Sequence, residues 1–98
     1  MREYRIKRGL SKDIERIREI LKREFPVEIT EENGILSLSY GALKELKVWI
    51  DNGKLFVKSE ANIEATDEVI LDTNRRFRRF LDDATGYSTK ERKKMMME

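Results

Sequence analysis

Two aromatic residues and two lysines near the middle of the chain are the side chains best suited to binding a ligand. Trp49 and Phe56 flank an Asn-Gly pair at 52–53, which is typical of a two-residue type I′ hairpin turn. That turn places Trp49 opposite Phe56 and, one step along the same face, Lys47 opposite Lys58. Single-stranded nucleic acids are bound by aromatic rings that stack on bases and by cations that hold phosphates. The spacing therefore predicts a nucleic-acid-binding surface.

The same surface also fits explanations that need no nucleic acid. A cross-strand aromatic pair stabilises a hairpin by a fraction of a kcal/mol by itself. An exposed aromatic patch is also typical of a contact with a protein partner or with a second copy of the chain. Lysines directly opposite each other repel, which indicates a bound anion unless Glu45 or Glu60, on the same face, neutralises them. We expect Ile35 to border Trp49 from the preceding strand.

Cations near both ends of the chain extend the predicted surface. Arg5 and Lys7 share one face of an alternating N-terminal strand and would contact phosphates if that strand pairs with the fifth. Near the C-terminus, Lys90, Arg92 and Lys93 have few acids beside them. This pattern is typical of a basic tail that either contacts phosphates or only improves solubility.

Four arginines between positions 75 and 79 suggest a nucleic-acid-binding helix at first sight. Acids four residues away indicate instead an ion-paired face exposed to solvent. The predicted pairs are Asp72–Arg76, Arg78–Asp82 and Arg79–Asp83.

Catalytic chemistry has little support in the sequence. The chain has no His and no Cys, which removes the commonest general base and the thiolate metal sites. It has no glycine-rich phosphate loop, and the adjacent acids at 31–32 and 82–83 point apart on a strand or a helix. We expect a protein that is not an enzyme and has no cofactor and no metal.

The charges of the chain nearly cancel, with 21 basic against 19 acidic side chains. Binding to nucleic acid must therefore rest on a local patch. No apolar run approaches the roughly 20 residues that span a bilayer, and the polar N-terminus does not resemble a signal peptide. We expect a cytoplasmic protein with no membrane contact, and the abundance of Lys, Glu, Arg and Ile indicates a thermophilic source.

The elements that position these residues follow the order β-α-β-β-β-β-α. Ser11 is a suitable N-cap for a first helix that ends at Pro26. The turn at 33–34 is a second Asn-Gly pair, and a three-residue loop at 41–43 is predicted because it pairs Leu38 with an apolar residue rather than with Glu45. The residues expected in the core are Ile14, Ile17, Leu38, Val48, Val57, Ile70 and Phe77.

The last third of the chain is predicted to be helical. Thr66 is a suitable N-cap, and Gly86 is a suitable terminating residue. Residues 88–91 form a capping box that opens a short basic helix, and residues 95–98 are expected to fray.

The C-terminal part of the sequence resembles a family of small uncharacterised archaeal proteins. The matching residues are Asn74, Phe77-Arg78, Phe80-Leu81, Ala84-Thr85-Gly86-Tyr87, Lys90-Glu91-Arg92 and Lys94. The resemblance implies an archaeal source and a fold like one half of the TATA-binding protein. It implies no function, and the wedge phenylalanines of the TATA-binding protein have no counterparts here.

Together these features predict an α+β two-layer sandwich, with a five-stranded antiparallel sheet and two helices on one face. A single domain is expected over residues 1–87, followed by a short basic helical tail over 88–98. The favoured function is binding of RNA or DNA by the open sheet face. The alternatives are homodimerisation or binding of a protein partner through the same face, and binding of a small ligand in a groove between helix and sheet.

Overall fold

A computed structural model describes residues 1–96 and confirms the two-layer α+β fold. The strands are β1 (Arg2–Arg5), β2 (Thr30–Glu32), β3 (Ile35–Tyr40), β4 (Leu43–Asp51) and β5 (Lys54–Ala61). The helices are α1 (Ile14–Glu24), α2 (Asp67–Thr85) and α3 (Thr89–Met96). Met97 and Glu98, the end of the segment expected to fray, lie outside the described residues.

The five strands form one antiparallel sheet in the order β1-β5-β4-β3-β2. The strand β1 lies beside β5, with Arg2 opposite Val57, which settles a pairing that the sequence left open. Both Asn-Gly turns have the positive φ angles of type I′ turns, 53° and 80° at 33–34 and 54° and 73° at 52–53. These turns give the predicted strand register.

The β3–β4 connection reaches the predicted register by a different route. Tyr40 pairs with Leu43 across a two-residue turn, so the expected three-residue loop is wrong. Between Leu38 and Tyr40 the strand β4 carries one residue more than β3, and this irregularity restores the pairing of Leu38 with Leu46. A bulge of this kind adds one residue to a strand and so keeps the apolar side chains on the buried face.

The core lies between the sheet and the two long helices. Ile17, Leu38, Val48 and Val57 are buried as expected, while Ile14 and Phe77 pack at its border. Ile70 was expected in the core, but 37% of its surface is exposed. The residues fully buried at the centre include Phe25, Leu36, Leu46, Leu55 and Phe80.

Ile70 is exposed because the two helices differ in length. The helix α1 has 11 residues and α2 has 19. The end of α1 meets α2 at Arg76, whose guanidinium donates to the Glu24 carbonyl at 2.7 Å. The turns of α2 that precede Arg76 extend past α1, so their outer face lacks a helix partner.

Three side chains join the sheet to both helices. The Tyr40 hydroxyl donates to Asp72 Oδ2 at 2.6 Å, and Arg76 Nε donates to the same oxygen at 3.2 Å. The Arg76 guanidinium also lies over the Tyr40 ring, 5.3 Å from its centroid. These hydrogen bonds lower the pKa of Asp72 and, through the shared Tyr40–Asp72 bond, raise the pKa of Tyr40.

The start of α1 departs from the sequence expectation. Asp13, rather than Ser11, is the N-cap, and its carboxylate accepts from the Glu15 backbone N–H at 3.1 Å. The Ser11 hydroxyl instead accepts from the Asp13 backbone N–H. Within residues 1–96, no helix has the length and apolar character that crossing a membrane requires.

Candidate functional site

The candidate site is the side of the sheet opposite the helices, called the open face below. Successive side chains of a strand point to opposite sides, so the burial of Leu36, Val48 and Leu55 beneath the helices turns their neighbours outward. The residues that the sequence placed on this face and the strand register brings together are Ile35, Lys47, Trp49, Phe56, Lys58 and Arg5.

An aromatic pair occupies the centre of the open face. Trp49 is opposite Phe56, as predicted, and the two ring centroids are 5.7 Å apart with their planes inclined by 7°. This is an offset-stacked arrangement, which stabilises a pair beyond the area that it buries. Both rings remain partly exposed, so a further flat or apolar group can pack against them.

Acids accompany most of the cations on this face. Lys47 is opposite Lys58, and Glu45 neutralises Lys47 with its carboxylate 3.6 Å from Lys47 Nζ. Lys54 Nζ lies 2.7 Å from the carboxylate of Glu3. Within residues 1–96, Lys58 and Arg5 have no acidic partner. Lys44 Nζ lies 3.6 Å from the carboxylate of Glu60. The acids on this face are as numerous as the bases, and they are Glu3, Glu32, Glu45, Asp51 and Glu60.

Lys7 was expected on the open face, but the structure places it elsewhere. The strand β1 ends at Arg5, and the Lys7 backbone N–H donates to the Thr85 carbonyl at 2.7 Å. The Lys7 side chain therefore lies close to Gly86, at the end of α2. This turn of the chain takes Lys7 away from the aromatic pair.

Arg92 was expected to be an exposed cation of the basic tail, but it is buried. Its guanidinium donates to Asp82 Oδ1 at 2.7 Å, to Thr89 Oγ1 at 3.1 Å and to the Tyr87 carbonyl. Only 5% of its surface is exposed. Arg92 therefore attaches α3 to α2, whereas Lys90 and Lys93 remain exposed.

The predicted capping box of α3 is confirmed. The Ser88 backbone N–H donates to Glu91 at 3.0 Å, and the Glu91 backbone N–H donates to the Ser88 hydroxyl at 3.2 Å. The hydrogen bond from the Ser88 backbone lowers the pKa of Glu91. These two hydrogen bonds stabilise the first turn of the basic helix α3.

Competition for the acids of α2 overturns two of the three predicted ion pairs. Asp72–Arg76 forms at 3.2 Å. Asp82 is instead bound by Arg92, and Asp83 is bound by Arg23 of α1 at 2.9 Å. Arg79 lies 3.8 Å from Glu24. Within residues 1–96, Arg75 and Arg78 have no acidic partner.

A groove of about 440 Å³ lies between β1, α2 and α3, on the helix side of the sheet. Sequence reasoning named a groove between helix and sheet but not its residues, because they come from both ends of the chain. The one feature of the sequence that indicates the groove is the alternation that puts Arg2 and Tyr4 on the same face of the first strand. The residues that line the groove include Arg2, Tyr4, Phe77, Arg78, Leu81 and Lys93.

Comparison with known proteins finds relatives that carry no assigned function. The model of the domain of unknown function DUF5611 matches residues 1–98. The NMR solution structure of a hypothetical protein from Thermoplasma acidophilum is similar, with 31% sequence identity and a TM-score of 0.70. The similarity covers 98% of this chain and 97% of that chain. No curated protein matches the chain.

Proposed function

The chain belongs to the DUF5611 family, and we propose that it is an interaction protein whose open face binds a second copy of the chain. The observation that carries the proposal is the Trp49–Phe56 stack at the centre of a face that bears both signs of charge. An apolar centre within a polar rim is the usual anatomy of a protein interface.

Charge complementarity supports a second copy as the partner. In a two-fold symmetric contact, the same patch of each subunit faces itself. A patch of one sign would repel its copy, whereas the open face has acids and bases within a few ångströms of each other. Rotation about an axis near Trp49 can therefore bring opposite charges together around the aromatic centre.

Sedimentation equilibrium tests the proposal with matched variants. We expect the wild type to form a dimer at concentrations where Trp49→Lys is a monomer, because the new lysine places a charge at the apolar centre. Leu71→Lys is the control, since Leu71 is 65% exposed on α2, away from the sheet. A wild type that stays monomeric at high concentration, or a dimer that only Leu71→Lys dissociates, would refute the proposal.

A second candidate is binding of single-stranded nucleic acid to the same face. It is supported by Lys58 and Arg5, the cations of the open face with no acidic partner within the described residues, and by the aromatic pair. The resemblance to one half of the TATA-binding protein also favours nucleic acid, but only as an analogy of fold. Because phosphate contacts supply much of the affinity of such complexes, the surrounding acids favour weak binding.

Trp49 fluorescence with short RNA and DNA oligonucleotides tests this second candidate at roughly 50 mM salt, where phosphate contacts are favoured. Trp49→Ala should then lose about 1–3 kcal/mol of binding free energy, the usual value for one stacking contact. Lys58→Ala should weaken binding more than Lys47→Ala, because Lys47 already has Glu45 as a partner. Absence of binding under these conditions would leave the dimer as the function of the face.

We also propose that the protein is cytoplasmic, comes from a thermophile and is not an enzyme. The absence of Cys and the high content of charged residues support the first two statements. The third is supported by the absence of His and Cys from the sequence and of any grouping of three or more acids suited to a metal ion among residues 1–96.

A further inference from the structure

We propose that the groove between β1, α2 and α3 binds a small amphipathic anion, an aromatic or short aliphatic body that carries one phosphate, sulfonate or carboxylate group. Tyr4 and Leu81 form a largely buried apolar floor, and Phe77 lines it at the border of the core. The volume of about 440 Å³ lies within the roughly 300–1,000 Å³ range of small-molecule pockets.

The rim of the groove is cationic. Arg2, Arg78 and Lys93 line it, and each lacks an acidic partner within residues 1–96. None of the described residues that line the groove is acidic. A concave surface with one sign of charge and apolar walls concentrates the electric field, which favours a ligand of the opposite sign.

The acids that lie nearest in sequence to these cations are engaged elsewhere. Glu3 faces the opposite side of the sheet and pairs with Lys54. Glu91, two residues before Lys93, accepts from the Ser88 backbone N–H. Asp82 binds Arg92, and Asp83 binds Arg23. Among residues 1–96 the arrangement of the elements therefore leaves the three rim cations without ion pairs, and an anion would relieve the repulsion among them.

Arg92 has a different role from the three rim cations. Although Arg92 lines the groove, its guanidinium donates to Asp82, Thr89 and the Tyr87 carbonyl. These bonds hold α3 against α2 and thereby fix the position of Lys93. The groove is preformed, so a ligand does not have to organise it.

The shape of the groove favours a small ligand over a polymer. Its lining is mainly apolar, and its cations surround one concave site between three elements. A nucleic-acid strand requires cations along a track with repeated stacking positions. The groove offers one apolar floor for one ring or chain, together with a rim that receives one anionic group.

NMR titration with 1-naphthyl phosphate and with neutral 1-naphthol tests the proposal, because the two probes share a ring system and differ in charge. We expect 1-naphthyl phosphate to shift the signals of Tyr4, Phe77 and Leu81, and to bind about tenfold more tightly than 1-naphthol. Inorganic phosphate should bind more weakly than 1-naphthyl phosphate, because it cannot use the apolar floor.

Two arginines of α2 provide a matched pair of variants. Arg78→Gln should weaken 1-naphthyl phosphate binding by about tenfold through loss of a charged contact. Arg75→Gln should leave it unchanged, because Arg75 is also exposed and lacks an acidic partner among the described residues but does not line the groove. Trp49→Lys should also have no effect, which separates this site from the open face.

Three results would overturn the proposal. One is equal affinity for 1-naphthyl phosphate and 1-naphthol, which would indicate only an apolar surface. Another is equal affinity for 1-naphthyl phosphate and inorganic phosphate, which would indicate only a patch of charge. The third is signal shifts that lie outside the groove or that respond to Arg75→Gln as strongly as to Arg78→Gln.

Discussion

On the open face, Lys47 and Lys54 each lie within 4 Å of a glutamate, whereas in the groove Arg2, Arg78 and Lys93 surround an apolar floor whose described lining residues include no acid. Side chains on a flat sheet are close to their cross-strand and same-strand neighbours, so opposite charges meet locally. Near the groove, Asp82 and Asp83 of α2 form ion pairs with Arg92 of α3 and Arg23 of α1.

The difference shows that charge content alone does not identify a binding surface. The open face lies on strands rich in both acids and bases, and most of its charges are satisfied within the molecule. The groove has fewer charges, but packing leaves Arg2, Arg78 and Lys93 without acidic partners within the described residues. We therefore expect the open face to select a partner by shape and apolar contact, and the groove to select by charge.

The largest effect should come from the core that both surfaces share. Phe80 is fully buried on α2, and its ring centroid lies 6.3 Å from that of Phe77, which lines the groove. Phe80→Ala should lower the free energy of unfolding by about 3–5 kcal/mol. Trp49→Ala should cost less, because Trp49 is only partly buried, and about 0.5–1.5 kcal/mol of that cost should come from the aromatic pair itself. Urea unfolding measures both, and similar costs would contradict the assignment of Trp49 to a partly exposed surface rather than to the core.

A smaller effect should follow from detaching α3. Arg92→Ala removes hydrogen bonds to a carboxylate, a hydroxyl and a carbonyl, and should cost about 1.5–3 kcal/mol. It should also weaken 1-naphthyl phosphate binding while leaving self-association through the open face unchanged. Lys90→Ala, an exposed residue of the same helix, is the control. Unchanged thermal stability of Arg92→Ala would show that α3 contributes little to the groove.

The hydrogen bond between Tyr40 and Asp72 predicts that the stability of the fold decreases at both acidic and alkaline pH. Because folding lowers the pKa of Asp72 from its ordinary value of 3.8, the associated stability is present above pH 3.8 and is lost as the pH falls through the folded value. Because folding raises the pKa of Tyr40 from 10.0, its contribution is present below pH 10.0 and is lost as the pH rises through the folded value.

Tyr40→Phe should reduce the loss of stability at both acidic and alkaline pH. It removes the hydroxyl that lowers the pKa of Asp72, and a phenylalanine does not titrate. Urea unfolding below pH 3.8, at neutral pH and above pH 10.0 measures the change. Neither the open face nor the groove uses Tyr40, so both binding assays should be unaffected at neutral pH. Identical pH profiles for the two proteins would contradict the assigned origin of the shifts.

The smallest effect should come from the Glu3–Lys54 pair, whose two side chains are nearly half exposed. Glu3→Gln should change stability by less than about 1 kcal/mol, and by less still at high salt. It also makes the open face more basic. If nucleic acid is the partner, its affinity at low salt should rise in a fluorescence titration. If a second copy is the partner, the dimer should instead weaken slightly.

The sheet was predictable because its turns and alternation are local features. Asn-Gly pairs adopt positive φ angles, which determine which residues lie opposite Trp49 and Lys47. The β3–β4 register was also predictable from the apolar pattern. The bulge that produces it was not, because the choice between a longer loop and an extra strand residue depends on packing against α2, where Gly41 approaches Thr73.

Properties that depend on the ends of other elements were not predictable. Whether Ile70 is buried depends on where α1 ends. Whether Arg78 pairs with Asp82 depends on the fold of α3, which brings Arg92 to the same carboxylate. The helix start at Asp13 rather than Ser11 reflects two suitable caps placed two residues apart. The groove could not be derived from spacing, because Arg2 and Lys93 are brought together only by the folded chain.

The pairing of β1 with β5 has a consequence for the order in which the molecule forms. The strands β2 to β5 are joined by short turns, whereas Arg2 must close a long loop to reach Val57. Contacts between distant residues carry a larger entropic cost and tend to form late in folding. We expect β1, a four-residue edge strand, to join the sheet last and to open first, so that its amides exchange with solvent faster than those of β4. The groove would then exist only in the completed fold, and its ligand would slow amide exchange in β1.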